Sequence, residues 1–174
     1  MADLMSTIDG VRLYPLAELA DVRGSVRRFV RADDPWAEGG IAEVYFSTVL
    51  PGVVKGWHVH TKMTLRYCCV VGEILVGLCD GRPGSRTFGY LMRTRLAATG
   101  PADHKILIIP PGVWNGFRCA PEWPARAILA NAPDMVHDPE EVQRESAEKM
   151  LDGIGRAGPH ISVEEFWGAY AVSG

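Results

Sequence analysis

No long run of like charge interrupts this sequence, and no apolar stretch is long enough to cross a bilayer. The first absence removes the usual electrostatic footprint of a nucleic-acid partner, and the second removes a membrane span. The chain also opens without the basic-then-apolar pattern of an export signal, so a cytoplasmic protein is expected. Cysteine is scarce: Cys68, Cys69, Cys79 and Cys119 show no CxxC spacing. Each lies in an apolar run, where reduced, inert filler is expected rather than a nucleophile or a thiolate ligand. There is no internal repeat and no low-complexity segment. What remains is an ordinary globular composition, 47% hydrophobic and 22% charged with net charge −3, in 174 residues. That length suits one domain, spanning residues 1–174.

Between about residues 41 and 132 the sequence is a succession of short apolar or alternating runs bounded by Gly, Pro or Asp. This is a strand-and-turn pattern. The runs cover residues 42–50, 64–71, 73–79, 89–97, 105–109, 113–119 and 125–132. Pro110-Pro-Gly112 and the segment from Asp80 to Gly84 cannot continue a central strand and are expected as turns. Many short antiparallel strands in one domain imply a sandwich or barrel. After Pro133 the pattern changes. Asp138 with Pro139 and two acids predicts a helix to about Leu151, and Ser162-Val-Glu-Glu165 is a capping box opening a second helix with Phe166, Trp167 and Tyr170. The expectation is all-β with C-terminal helices over about 138–170.

The sharpest local feature is the segment from Pro51 to His60, where a turn leads into a strand that puts His58 and His60 on one face. Two imidazoles then share one environment. A metal pair, a general base and a pair of satisfied histidines all fit that spacing.

Gly56-Trp-His-Val-His60 followed by Gly72, and later Pro110-Pro-Gly112, resembles the two cupin motifs in order and spacing. The resemblance implies a jelly-roll β-barrel. Metal-binding cupins carry a Glu and a third His where this chain has Leu65 and Asn115, so no metal is expected, although His104 leaves a His58, His60 and His104 site open. A narrower resemblance covers most of the chain. Asp21-Val-Arg-Gly24, Val53-Val-Lys-Gly-Trp-His58, Cys69-Val-Val-Gly-Glu73, Ser85-Arg-Thr-Phe-Gly89 and the stretch from Ile109 to Phe117 are similar, in register, to segments of the dTDP-4-dehydrorhamnose 3,5-epimerase family.

That resemblance implies a cofactor-free isomerase acting on a nucleotide-linked 4-keto sugar, and a homodimer. His58 falls on the family's catalytic base, where an imidazole can remove a proton beside a ketone. Asn115 replaces a histidine and is expected to help stabilise the enolate. Arg23 and Lys55 fall on cations that hold the diphosphate, and His60, Arg66, Tyr45 and Trp114 are expected to face the substrate. The family's active-site lysine falls on Leu65, or on Met63 with a short insertion, and neither can donate; Lys62 or Arg66 are stand-ins. Its tyrosine acid belongs near residues 131–134, where none occurs. Asp134, Asp138 and Asp152 are candidates for the carboxylate that orients His58. These departures leave open a cupin that binds the sugar nucleotide without turning it over.

Overall fold

The computed structural model describes residues 4–5, 8–100, 103–153 and 163–167. Its strands are β1 (Leu4–Met5), β2 (Arg12–Pro15), β3 (Glu18–Asp21), β4 (Gly24–Arg27), β5 (Tyr45–Val49), β6 (Val54–His60) and β7 (Leu65–Val71). They continue as β8 (Glu73–Asp80), β9 (Leu91–Ala97), β10 (Lys105–Ile109), β11 (Val113–Cys119), β12 (Ala127–Asn131) and β13 (Val142–Arg144). A 3-10 turn, Pro139–Glu141, and two short helices, α1 (Ala147–Gly153) and α2 (Val163–Trp167), complete the set.

Two antiparallel sheets face one another, ordered β1-β2-β10-β7-β12-β5 and β13-β6-β11-β8-β9. Their inward side chains make one core: Leu65, Tyr67, Cys69, Leu107 and Leu129 from the first sheet meet Ile74, Val76, Leu78, Leu96 and Phe117 from the second. This is the jelly-roll architecture of cupins, built as two facing sheets. Strand alternation decides what each outer face receives. On β7, Cys68 turns outward to Trp36 and Ile106 while Cys69 turns in. On β6, Trp57 turns outward to Met150, Phe166 and Trp167, so α1 and α2 cover that face. All four cysteines are free and buried, and burial pushes the thiols of Cys68, Cys69 and Cys79 up to about 12.

Two boundaries differ from expectation. The β structure begins well before residue 41, because the short Arg12–Pro15 segment adds to the edge of β10. The helix expected from residue 138 starts only at Ala147. Asp138 does cap a turn, accepting from the Glu140 N–H at 2.9 Å, but Val142–Arg144 then pairs with β6. Ladder hydrogen bonds at an open sheet edge outweigh local helix propensity there. Phe166 and Trp167 are buried in α2 as expected, while Ser162 and Tyr170 lie outside the described residues.

Candidate active site

The strand carrying His58 is positioned by a close approach of two backbones. Gly56 has φ +143°, and a Cβ there would lie 2.5 Å from Gly116 Cα. Only glycine permits this contact. It sits beside a bulge of β11 between Asn115 and Gly116, and two residues later β6 delivers His58 and His60 to the space between the sheets.

That space is a cavity of about 580 Å³, a size suited to a small organic ligand. Tyr45 and Ser47 of β5, Tyr67 of β7 and Leu129 of β12 line one wall; Lys55, His58 and His60 of β6, Phe117 of β11 and Arg144 of β13 line the other. His137 also reaches it. The imidazoles of His58 and His60 lie edge to face with centroids 5.7 Å apart.

A hydrogen-bond chain sets the state of His58. Asn115 is fully buried, and its Nδ2 donates to the His58 carbonyl at 3.2 Å. Its Oδ1 therefore faces the Tyr67 hydroxyl, which donates to it at 2.9 Å. With that proton committed, Tyr67 can only accept from His58 Nε2, 3.4 Å away. Neutral His58 then carries its proton on Nε2 and its lone pair on Nδ1. Burial, followed by the positive charges of His60, Arg144 and Lys55, lowers its pKa to about 4. Desolvation holds Tyr67 well above the usual phenol value, so its proton stays in place.

His60 has a different partner. Its Nδ1 pairs with the Glu141 carboxylate; their side chains are 6% and 1% exposed. Burial works to raise the Glu141 pKa, but hydrogen bonds from His60 and from the backbone outweigh it and hold it below the usual value.

The comparisons with known proteins decide the family. The dTDP-4-dehydrorhamnose 3,5-epimerase family model matches residues 5–138. A probable low-salt glycan biosynthesis epimerase of Haloferax volcanii is 32% identical over 144 residues, 81% of this chain and 88% of the relative. The chain belongs to the dTDP-4-dehydrorhamnose 3,5-epimerase family. A solved dTDP sugar isomerase from Desulfovibrio desulfuricans is 32% identical, with TM-score 0.76 over 88% of this chain and 95% of that one. At 19% identity, a 3'-monoepimerase from Streptomyces bikiniensis in complex with dTDP-quinovose shares the fold, with TM-score 0.74 over 92% and 83% of the two chains.

Within this family member the expected site residues divide. His58, His60, Lys55 and Tyr45 come together around the cavity. Asn115 is not among the residues lining it: both ends of its amide are used one layer behind, on the His58 carbonyl and the Tyr67 hydroxyl. Trp114 faces the other way, packed with Trp57, Cys79 and Phe166 on the outer side of the sheet, because it alternates with Asn115. Arg66 is also an outward residue of β7. Its buried guanidinium donates to the carbonyls of Trp36 (2.6 Å), Glu38 (2.5 Å) and Ala132 (3.0 Å), which clamps the segment before β5 onto the sheet. Arg23 stands on the β3–β4 hairpin, 86% exposed and paired with Asp21, away from this chain's cavity. His104 is buried elsewhere, with Nδ1 3.4 Å from the Ala97 carbonyl.

Leu65 sits in the apolar core. Among the described residues no three His, Cys, Asp or Glu side chains converge as a metal site requires, so this donor set does not fit a cupin transition metal. Of the candidates for the carboxylate that orients His58, the two whose side chains are described are engaged elsewhere. Asp134 accepts from the Thr64 N–H at 2.8 Å, Asp138 caps its turn, and the Asp152 side chain lies outside the described residues. Glu141 and Arg144 escaped sequence reasoning because they lie in a helix-like stretch about eighty residues downstream of β6. Only the β13–β6 pairing, which sets Val142 opposite His60 and Arg144 opposite His58, reveals them.

Proposed function

We propose that the protein is an epimerase or isomerase of a nucleotide-linked 4-keto-6-deoxyhexose, of the dTDP-sugar type, in which His58 removes the proton beside the ketone. The observation that carries this reading is His58 itself: a half-buried imidazole in a cavity of about 580 Å³, its Nε2 facing Tyr67 and burial favouring its neutral form, on a strand whose motif resembles the one carrying the family's base. A neutral ring has the lone pair that proton abstraction needs. Lys55 and Arg144 supply positive charge to a diphosphate on the same wall.

Tyr45 stands on the facing wall, set by β5 beside Asn131, whose Nδ2 donates to its hydroxyl at 2.9 Å. The family's tyrosine is expected near residue 131, and here the neighbouring strand provides one. Burial raises the Tyr45 pKa, so its hydroxyl keeps its proton, which supports reading it as the donor to the carbon from the wall facing His58.

A homodimer fits the remaining surface. Every residue of β3 and β4 is exposed, including Leu19 and Val26, and Phe46 is exposed on the edge strand β5 next to the cavity. A second copy covering these surfaces would bring Arg23 toward the partner's cavity. Incubation with a dTDP-4-keto-6-deoxyhexose, followed by NMR of the sugar ring, tests the activity. An inverted carbon or a migrated carbonyl is expected, and recovery of unchanged sugar nucleotide from every such compound contradicts the proposal.

A further inference from the structure

The His60–Glu141 pair is built more strongly than a passive wall needs. Glu141 is delivered by the Pro139–Glu141 turn and tied at several points to the end of β6 and the two residues that follow it. The Thr61 N–H and hydroxyl both donate to its carbonyl at 3.1 Å, and the Lys62 N–H donates to Oε2 at 3.0 Å. Its Oε1 takes His60 Nδ1. Burying a carboxylate this deeply is costly unless a charge or a full set of donors meets it. His60 Nε2 has no protein partner among the described residues, and the ring lines the cavity. Glu141 thus takes the Nδ1–H of His60 and leaves Nε2 for a ligand; in the imidazolium form, from which the step below starts, Nε2 carries the second proton.

The two histidines differ in their counter-charges. A proton added to His60 sits beside a carboxylate, so the pair is neutral overall. The same proton on His58 goes to Nδ1, which has no partner among the described residues, on a ring already facing Tyr67 through Nε2 and set among cations. The geometry therefore casts His60, with a carboxylate to offset the charge of an added proton, as the donor and His58 as the base.

We propose that His60, braced by Glu141, is a second catalytic residue: the acid that protonates the ketone oxygen while His58 takes the neighbouring carbon-bound hydrogen. This rests on the epimerase or isomerase reading above and supplies a donor that Leu65 cannot. The step balances. The Nδ1 lone pair of His58 takes the hydrogen, the C–H electrons become the C=C bond, and the carbonyl π electrons move to oxygen. That oxygen takes the proton from His60 Nε2. His58 ends as imidazolium, His60 as neutral imidazole, and the sugar as its enol. Reversal returns the hydroxyl proton to His60, and the carbon regains a proton from His58, or from Tyr45 with inversion. Solvent then restores the side chains. Rings 5.7 Å apart leave room for a C–H and an adjacent carbonyl oxygen, each within hydrogen-bond reach of one of them.

The test is deuterium exchange from heavy water into a dTDP-4-keto-6-deoxyhexose, with His60→Gln, Glu141→Gln and Glu141→Asp beside wild type, and dTDP affinity measured calorimetrically on each. We expect His60→Gln to slow exchange by roughly 10²- to 10⁴-fold with dTDP affinity within about threefold of wild type. Glu141 is a positioning residue. Glu141→Gln should lower kcat with little change in KM, and Glu141→Asp should recover part of the loss. Wild-type exchange with His60→Gln within about threefold of it overturns the inference and leaves the His58 reading standing. So does a loss in Glu141→Gln that tracks weakened dTDP binding or unfolding while His60→Gln stays active. Absence of exchange in wild type overturns both.

Discussion

Tyr67 Oη lies 3.4 Å from His58 Nε2 while its own proton is committed to Asn115 Oδ1. The hydroxyl therefore fixes which nitrogen of His58 can accept a proton, although Tyr67 itself is fully buried in the cavity wall. Tyr67→Phe should release the ring and leave Asn115 Oδ1 without a donor, at a cost of about 1–3 kcal/mol. Nitrogen-15 spectra of the imidazole should show the Nε2–H tautomer in wild type and a tautomer mixture in the variant. An unchanged mixture in both would remove Tyr67 from the account.

Gly56 holds β6 against β11 at a distance that no side chain allows. Gly56→Ala places a Cβ 2.5 Å from Gly116 Cα at φ +143°, and strain of this kind costs on the order of 1–3 kcal/mol before any clash is counted. The denaturation midpoint should fall, and activity should fall with it because His58 is only two residues further along. A variant as stable as wild type would show that the strand can shift freely.

The pH dependence of stability follows from His58. Its pKa is near 6.5 in the unfolded chain and about 4 when folded, so between these values the unfolded chain binds more protons and protonation favours unfolding. Its contribution is complete above about pH 6.5 and is lost as pH falls toward about 4. Wild type should lose more stability than His58→Asn between about pH 7.5 and 5, by up to about 2 kcal/mol. Equal losses in the two proteins would mean that the folded His58 is not held neutral.

Lys55 and Arg144 test the diphosphate assignment. Charge-assisted hydrogen bonds to phosphate contribute about 1.5–3 kcal/mol each, so Lys55→Met and Arg144→Met should each weaken dTDP binding by roughly 10- to 100-fold. Added salt should narrow the difference. Binding unaffected by both changes would place the nucleotide elsewhere.

Much of this arrangement was legible in the sequence. Turn residues and period-two runs located most strands of the two sheets, and the alternation Trp57, His58, Val59, His60 foretold which rings face the cavity. The same rule, applied to β11 and β7, would have turned Trp114 and Arg66 outward. Alignment with family motifs suggested otherwise because it matches positions, not faces. Glu141 and Arg144 were out of reach for another reason: their role exists only once Val142–Arg144 pairs with β6, a long-range contact that no local pattern encodes. Arg12–Pro15 was too short and mixed to read as a strand until β10 offered its edge.

The central claim is that His58 is the base, and exchange of the hydrogen beside the ketone measures it directly. Wild-type protein in heavy water should wash deuterium into the ring of a dTDP-4-keto-6-deoxyhexose, and His58→Asn should reduce that rate by roughly 10²- to 10⁴-fold while still binding dTDP. Exchange that persists undiminished in His58→Asn, or is missing from wild type, would contradict the account.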